Sequence, residues 1–269
     1  MKFSLKSLLT IAAAASTLIL VGCGEKTVDN NKVKIGVMAG AEAQVAEVAS
    51  KIAKEKYNLD VELVIFTDYV TPNAALDDGS IDANAFQHKP YLDKQIADRG
   101  YKLAIVGNTF VYPIAGYSKQ IKSVDELQDG ARIAVPNDPT NLGRSLLLLE
   151  QQGLLKLRED VGLLATVRDI VENPKKLEIL ELDAAQLPRS LDDVALSIIN
   201  TTYASSINLT PEKDGIFVEN KESPYVNILV AREANVNAEN VQNFKKAYQT
   251  DEVAKAASEI FHGGAVKGW

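Results

Sequence analysis

Residues 33–66 read VKIGVMAGAEAQVAEVASKIAKEKYNLDVELVIF, and this stretch decides the fold. Val33 to Met38 is a short apolar run with the composition of a buried strand. Gly40 begins a turn, and between Glu42 and Tyr57 the apolar residues Val45, Val48 and Ile52 recur at helical spacing. Val61 to Phe66 returns to strand character. A strand, a helix and a second strand in such close succession are the repeating unit of an α/β fold.

Working outward, the alternation continues. Pro72 opens a short helix that stops at Gly79, Ile81 to Phe86 is extended, and Lys89 to Arg99 is a helix closed by Gly100. Lys102–Val106 and Thr109–Tyr117 read as strands. Ser123 and Glu126 have capping-box spacing, followed by a strand at Ala131–Val135, a loop over Pro136–Thr140 and a helix at Leu142–Gln152. Further strands are expected at Leu177–Leu182, Val194–Ile199, Gly215–Glu219 and Tyr225–Ala231, and helices at Ala238–Tyr248 and Glu252–Phe261. The longest strand runs, 109–117 and 225–232, bracket the middle of the chain and could carry it from one domain to another and back. Two lobes are therefore expected, 33–113 with 229–269 and 114–228, each a mainly parallel sheet flanked by helices. Ligands of such sheets bind beyond the carboxyl ends of the strands, which places the site in the cleft between lobes.

The N-terminal segment carries a different message. Lys2 and Lys6 precede an apolar run from Leu8 to Val21, and Gly22-Cys23 closes it. This is the layout of a secretory signal over residues 1–22, and the cysteine after a small residue makes it a bacterial lipoprotein signal with lipidation at Cys23. A membrane helix needs about 20 apolar residues, and this run is shorter and broken by Ser16, Thr17 and Gly22. Residues 23–32, CGEKTVDNNK, have the polar composition of a tether. The chain is thus expected to be exported and held by acyl chains to the cell membrane or the outer membrane, its body in the periplasm or at the cell surface.

Charge and composition exclude several classes. Without Lys2 and Lys6 the remaining chain has 27 basic and 36 acidic residues, a net charge of −9. A net negative body argues against nucleic acid and against anionic lipid as general partners. The single cysteine has no disulfide partner, and two histidines without a free thiol make a poor metal-ligand set. No Gly-x-Ser-x-Gly elbow is present, so no enzymatic role, metal or cofactor is expected.

Three segments could hold a ligand. Asn137 to Arg144, NDPTNLGR, follows a strand and opens a helix, so free backbone N–H groups, the helix dipole and the Arg144 fork together suit a small carboxylate. The same residues equally fit a capped helix followed by a surface arginine paired with a neighbouring acid. Aromatic residues are only 6% of the chain, yet Phe66, Tyr69, Phe86 and Tyr91 gather between 66 and 91, a wall suited to an apolar or thioether side chain, with His88 alongside. Core packing is the plainer explanation for Phe66. Asn200, at the end of an apolar strand, can accept from an ammonium or donate to a carboxylate, and also fits a simple helix cap.

Taken in order, FTDYVTPNAAL (66–76), DANAFQHKPYL (82–92), DPTNLGRSLLLLE (138–150), ALSIINTTYA (195–204), KESPYVN (221–227) and GGAVKGW (263–269) resemble the methionine-binding lipoproteins of ABC importers, the NlpA lipoprotein family. The resemblance covers essentially the whole chain beyond the signal. It implies a two-lobed periplasmic-binding-protein fold, type II-like, that closes over free methionine (L and possibly D) and delivers it to a membrane permease driven by an ATPase subunit. It also implies that Arg144 meets the methionine carboxylate and Asn200 the amino-acid head group, with Asn141 and Asn84 as supporting polar contacts. Tyr69, Phe86, His88 and Tyr91 would enclose the thioether. A surface lipoprotein acting as adhesin or host-immune stimulator is the alternative class, and it can coexist with transport.

Overall fold

The computed structural model describes residues 30–220 and 222–269, so the signal segment, Cys23 and most of the tether lie outside the described residues. In chain order the elements are β1 (Lys32–Met38), α1 (Ala41–Tyr57), β2 (Asp60–Phe66), α2 (Thr71–Asp77), β3 (Ala83–His88), α3 (Lys89–Arg99), β4 (Leu103–Val111), β5 (Ala115–Tyr117), β6 (Arg132–Pro136), α4 (Pro139–Gln151), β7 (Lys156–Leu157), β8 (Ile170–Glu172) and β9 (Glu178–Leu182). They continue with α5 (Leu187–Ser190), β10 (Leu196–Ile199), α6 (Thr201–Ser205), α7 (Pro211–Asp214), β11 (Phe217–Val218), β12 (Val226–Arg232), α8 (Glu239–Tyr248), α9 (Asp251–Ile260) and β13 (Val266–Lys267).

Two sheets organise the chain. The first has the order β13-β4-β12-β3-β1-β2 and the second β11-β5-β10-β6-β9. In the first, β1, β2 and β3 are mutually parallel, and β12 runs against both β3 and β4. In the second, β10, β6 and β9 are parallel and β5 runs against its neighbours β10 and β11. Both sheets are mixed in their pairings: β5 runs against its neighbours where the chain enters the second sheet, β12 where it returns to the first, and β13 runs against β4 at the edge.

The expected strand over 109–117 is two strands. β4 ends at Val111, the chain crosses through Tyr112-Pro113-Ile114, and β5 begins at Ala115. Pro113 has no N–H to give a ladder, and its carbonyl is taken by the Thr201 hydroxyl at 2.5 Å. The small β7–β8 pair was not foreseen, because two- and three-residue strands carry no readable period.

Burial follows the layers. Val33, Ile35 and Val37 of β1 pack with Val45, Ala49 and Ile52 of α1 and with Phe244 and Val253 of α8 and α9. A smaller cluster of Leu76, Ile81, Leu92, Ile228 and Val230 joins the first sheet to α2 and α3. The second lobe has its own core, including Ile133, Leu146, Leu149, Leu196 and Ile198. A further cluster draws Met38, Phe86 and Tyr91 from the first lobe and Tyr117, Leu187, Ile199 and Tyr203 from the second. That shared cluster closes one side of the cleft.

Candidate functional site

Helix starts and strand ends carry the site. At Gly40, where φ is +86°, the chain turns from β1 into α1 in a conformation that costs an L side chain strain, and Glu42 stands in the first turn. His88 ends β3 and caps α3, its Nδ1 accepting the Tyr91 N–H at 3.1 Å, with Pro90 in the first turn. Asp138 caps α4, accepting the Asn141 N–H at 3.0 Å, and Pro139 follows it. Gly143 is required by contact: a Cβ there would lie 2.3 Å from the Leu163 carbonyl oxygen. The glycine lets α4 press against that loop and sets the position of Arg144.

The structure brings Tyr69, Phe86, His88, Tyr91, Asn141, Arg144 and Asn200 together around one cavity between the lobes, joined by Gln87, Tyr112, Thr201, Thr202 and Asn227. The cavity is narrow, about 20 Å³ in volume. Admitting an amino acid therefore requires its walls to part.

Arg144 is buried, and an acid does partner it. Its Nε donates to Glu219 Oε1 at 2.8 Å and its Nη2 to the other oxygen of the same carboxylate. Nη2 also donates to the Tyr112 carbonyl at 3.0 Å, and the Tyr225 ring lies 4.4 Å from the guanidinium carbon. Nη1 has no hydrogen-bond partner among the described residues and is the free tine of the fork. The surface ion pair weighed for the sequence is thus a buried pair, and Arg144 still lines the cavity.

A chain of side-chain amides fixes the polar end. Asn141 Nδ2 donates to Asp138 Oδ2 at 2.8 Å, which leaves Asn141 Oδ1 as an acceptor. That oxygen takes a bond from Asn200 Nδ2 at 2.9 Å and faces His88 Nε2 at 3.3 Å. Since His88 Nδ1 is already an acceptor, the ring proton sits on Nε2 and points at Asn141. Burial, aided by the nearby Arg144 charge, lowers the His88 pKa to about 3, so the ring is neutral. With Nδ2 committed, Asn200 Oδ1 is left buried and without a partner. Such an oxygen calls for an N–H donor in the cavity.

Aromatic rings form the other end. Tyr69 lies 6.0 Å from Phe86, 6.4 Å from Tyr91 and 5.0 Å from Tyr203 between ring centroids. The Tyr91 hydroxyl donates to the Tyr69 carbonyl at 2.8 Å, and the Tyr203 hydroxyl reaches the Thr67 carbonyl at 3.3 Å, across the lobes. Phe66, expected in the core, packs partly buried against two of the hydrophobic clusters.

Asn84 does not line the cavity. It is fully buried behind the wall, donating to Asn73 Oδ1 at 2.9 Å and accepting from Gln87 Nε2 at 3.0 Å. The cause is a bulge: the pairing of β3 with β12 shifts between Ile228 and Leu229, and Phe86 has no strand partner. Strict alternation would group Asn84 with Phe86 and His88; the bulge sets it beside Gln87 instead. Asn227 Nδ2 takes the bulge's Phe86 carbonyl at 3.1 Å. Two further residues went unforeseen: Glu219, and Glu42, whose buried carboxyl group accepts from Thr202. Among the described residues no group of three or more His, Cys, Asp or Glu side chains could hold a metal ion, and no helix is long and apolar enough to cross a membrane.

Two α/β lobes enclosing an aromatic-walled cavity with a buried cation and an amide chain define a solute-binding protein of the periplasmic-binding class. The chain belongs to the NlpA lipoprotein family, whose model matches residues 33–269. It is 97% identical, over the full length of both chains, to the probable D-methionine-binding lipoprotein MetQ of Vibrio cholerae serotype O1. It is 68% identical over the full length of both chains to the D-methionine-binding lipoprotein MetQ of Escherichia coli K12. The structure of a nutrient binding protein from Burkholderia cenocepacia bound to methionine superposes with a TM-score of 0.86 at 50% identity, covering 88% of this chain and all of that one.

Proposed function

We propose that the protein captures free methionine between its lobes and presents it to the permease of an ABC importer, whose ATPase subunit drives transport. The observation that carries this reading is the pairing of opposite needs in one cavity. Asn200 Oδ1 is buried without a donor, and Arg144, lining the same cavity, spends Nε and Nη2 on Glu219 and Tyr112, which leaves Nη1 to serve a ligand. A zwitterion supplies both, its ammonium to the amide oxygen and its carboxylate to the guanidinium. Tyr69, Phe86 and Tyr91 then face the side chain, where sulfur–aromatic contacts contribute about 0.3–1.5 kcal/mol. His88, held neutral, serves as a donor to Asn141 and adds no charge to the site.

The lobes, bounded near 113/114 and 228/229, move as two bodies that part to admit the ligand and shut on it. The protein acts by binding alone, without catalysis, and Cys23 carries the acyl chains that keep the body near its permease. Isothermal titration of the purified protein with L-methionine is expected to give saturable heat at one ligand per chain. No heat at micromolar protein would remove the reading.

A further inference from the structure

We infer that Glu219 is a positioning residue for ligand recognition: it holds the Arg144 guanidinium so that its free edge, Nη1, faces the ligand carboxylate. The inference rests on the methionine reading above and deepens it. Both oxygens of Glu219 are used on the Nε–Nη2 edge of the fork, the edge opposite Nη1. A guanidinium gripped along one edge keeps a single orientation, whereas a lone arginine side chain samples many.

Glu219 is itself fixed. Its backbone N–H donates to the Ile114 carbonyl at 2.9 Å, and the Ile114 N–H points at its Oε2 at 3.4 Å. It sits just after β11, on the path by which the chain leaves the second sheet. Arg144 completes the arrangement by donating to the carbonyl of Tyr112 and lying under the ring of Tyr225. Tyr112 belongs to the outgoing crossing between the lobes and Tyr225 to the return. The residue facing the ligand is thereby tied to both segments on which the lobes turn.

Charge supports the assignment. Arg144 is buried to 3% exposure and the Glu219 side chain to 11%. A buried cation with a dedicated counter-ion stays charged and ordered before ligand arrives, so binding does not have to order it. The pair is also neutral as a unit, which matches a ligand neutral as a zwitterion.

The test compares methionine with methioninol, in which a hydroxymethyl group replaces the carboxylate. Glu219→Gln keeps the size of the side chain and removes its charge. It is expected to weaken methionine binding about tenfold, the loss of one charge-assisted contact, while changing methioninol binding less than about twofold. A ligand-free readout accompanies it: the Arg144 Nε–H exchanges slowly with water in the unaltered protein and fast in the variant. Glu219→Asp, which keeps the charge but withdraws it by one methylene, is expected to behave as Glu219→Gln does, and serves if the glutamine variant fails to fold. Equal losses on both ligands, a gain or no change for methionine, or unchanged exchange at Nε–H would overturn the assignment. Failure of the unaltered protein to bind methionine would instead overturn the reading beneath it.

Discussion

Thr202 Oγ1 donates to Glu42 Oε1 at 2.5 Å in a contact that joins the two lobes away from water. Glu42 stands in the first turn of α1 and Thr202 in α6, and both are buried. Burial raises the Glu42 pKa from 4.5 to about 8, against the opposing pull of the Thr202 hydrogen bond.

That shift fixes a pH dependence of stability. Between pH 4.5 and about 8 the folded protein holds a proton on Glu42 that the unfolded chain releases. The contribution is complete below pH 4.5 and is lost as pH rises toward 8, with a slope of at most about 1.4 kcal/mol per pH unit. Between pH 5 and 6.5 the neutral buried His88, whose unfolded counterpart takes up a proton, gives a slope of opposite sign. Thermal melts are therefore expected to fall with pH mainly from about 6.5 to 8, and Glu42→Gln to flatten that fall. An identical slope in the variant refutes the role.

Arg144→Ala acts on two quantities at once. Methionine affinity is expected to drop at least about a hundredfold, from the loss of a desolvated charge partner. Stability is expected to drop by about 3–5 kcal/mol, because Glu219 is left as an uncompensated buried charge. Adding Glu219→Gln should restore part of the denaturant midpoint and none of the affinity.

Asn200→Ala should weaken methionine binding by about 1–3 kcal/mol, roughly 5- to 150-fold. Asn200→Asp should not rescue it, although an acid attracts an ammonium. The aspartate would turn an oxygen toward Asn141 Oδ1, where the amide now donates. Titration calorimetry of the two variants side by side checks this.

Gly143→Ala sets two effects of opposite sign against each other. In an open helix alanine is favoured over glycine by about 1 kcal/mol. Here the new Cβ would meet the Leu163 carbonyl at 2.3 Å, a backbone atom that cannot swing aside. The clash should win, lowering stability by about 1–3 kcal/mol in urea melts. A stabilised variant would show that the 162–164 turn yields freely.

Much of this was legible in the chain, for local reasons. The helix at Lys89–Arg99 was expected with its observed bounds, because proline and glycine mark its ends within the sequence. Seven cavity residues were legible because they sit where strands end and helices begin, at positions a linear reading can find. Asn84 followed from the family resemblance alone, and the bulge at Phe86 that sets it beside Gln87 behind the cavity wall has no signature in the local sequence. Glu219 was invisible because its partner lies 75 residues away, a relation no local pattern encodes. Glu42 was hidden for the same reason, its partner lying 160 residues along the chain.

The place of β12 has a consequence for how the molecule is made. It lies between β3 and β4 in the first sheet, yet it is the twelfth strand in the chain. Until Arg232 has been synthesised, the earlier strands of that sheet have a gap at its middle, whereas every strand of the second sheet is complete by Val218. As the polypeptide emerges, the inserted body can assemble while its host still waits. The lobe begun first is finished last, and a truncation anywhere before residue 226 would leave it split.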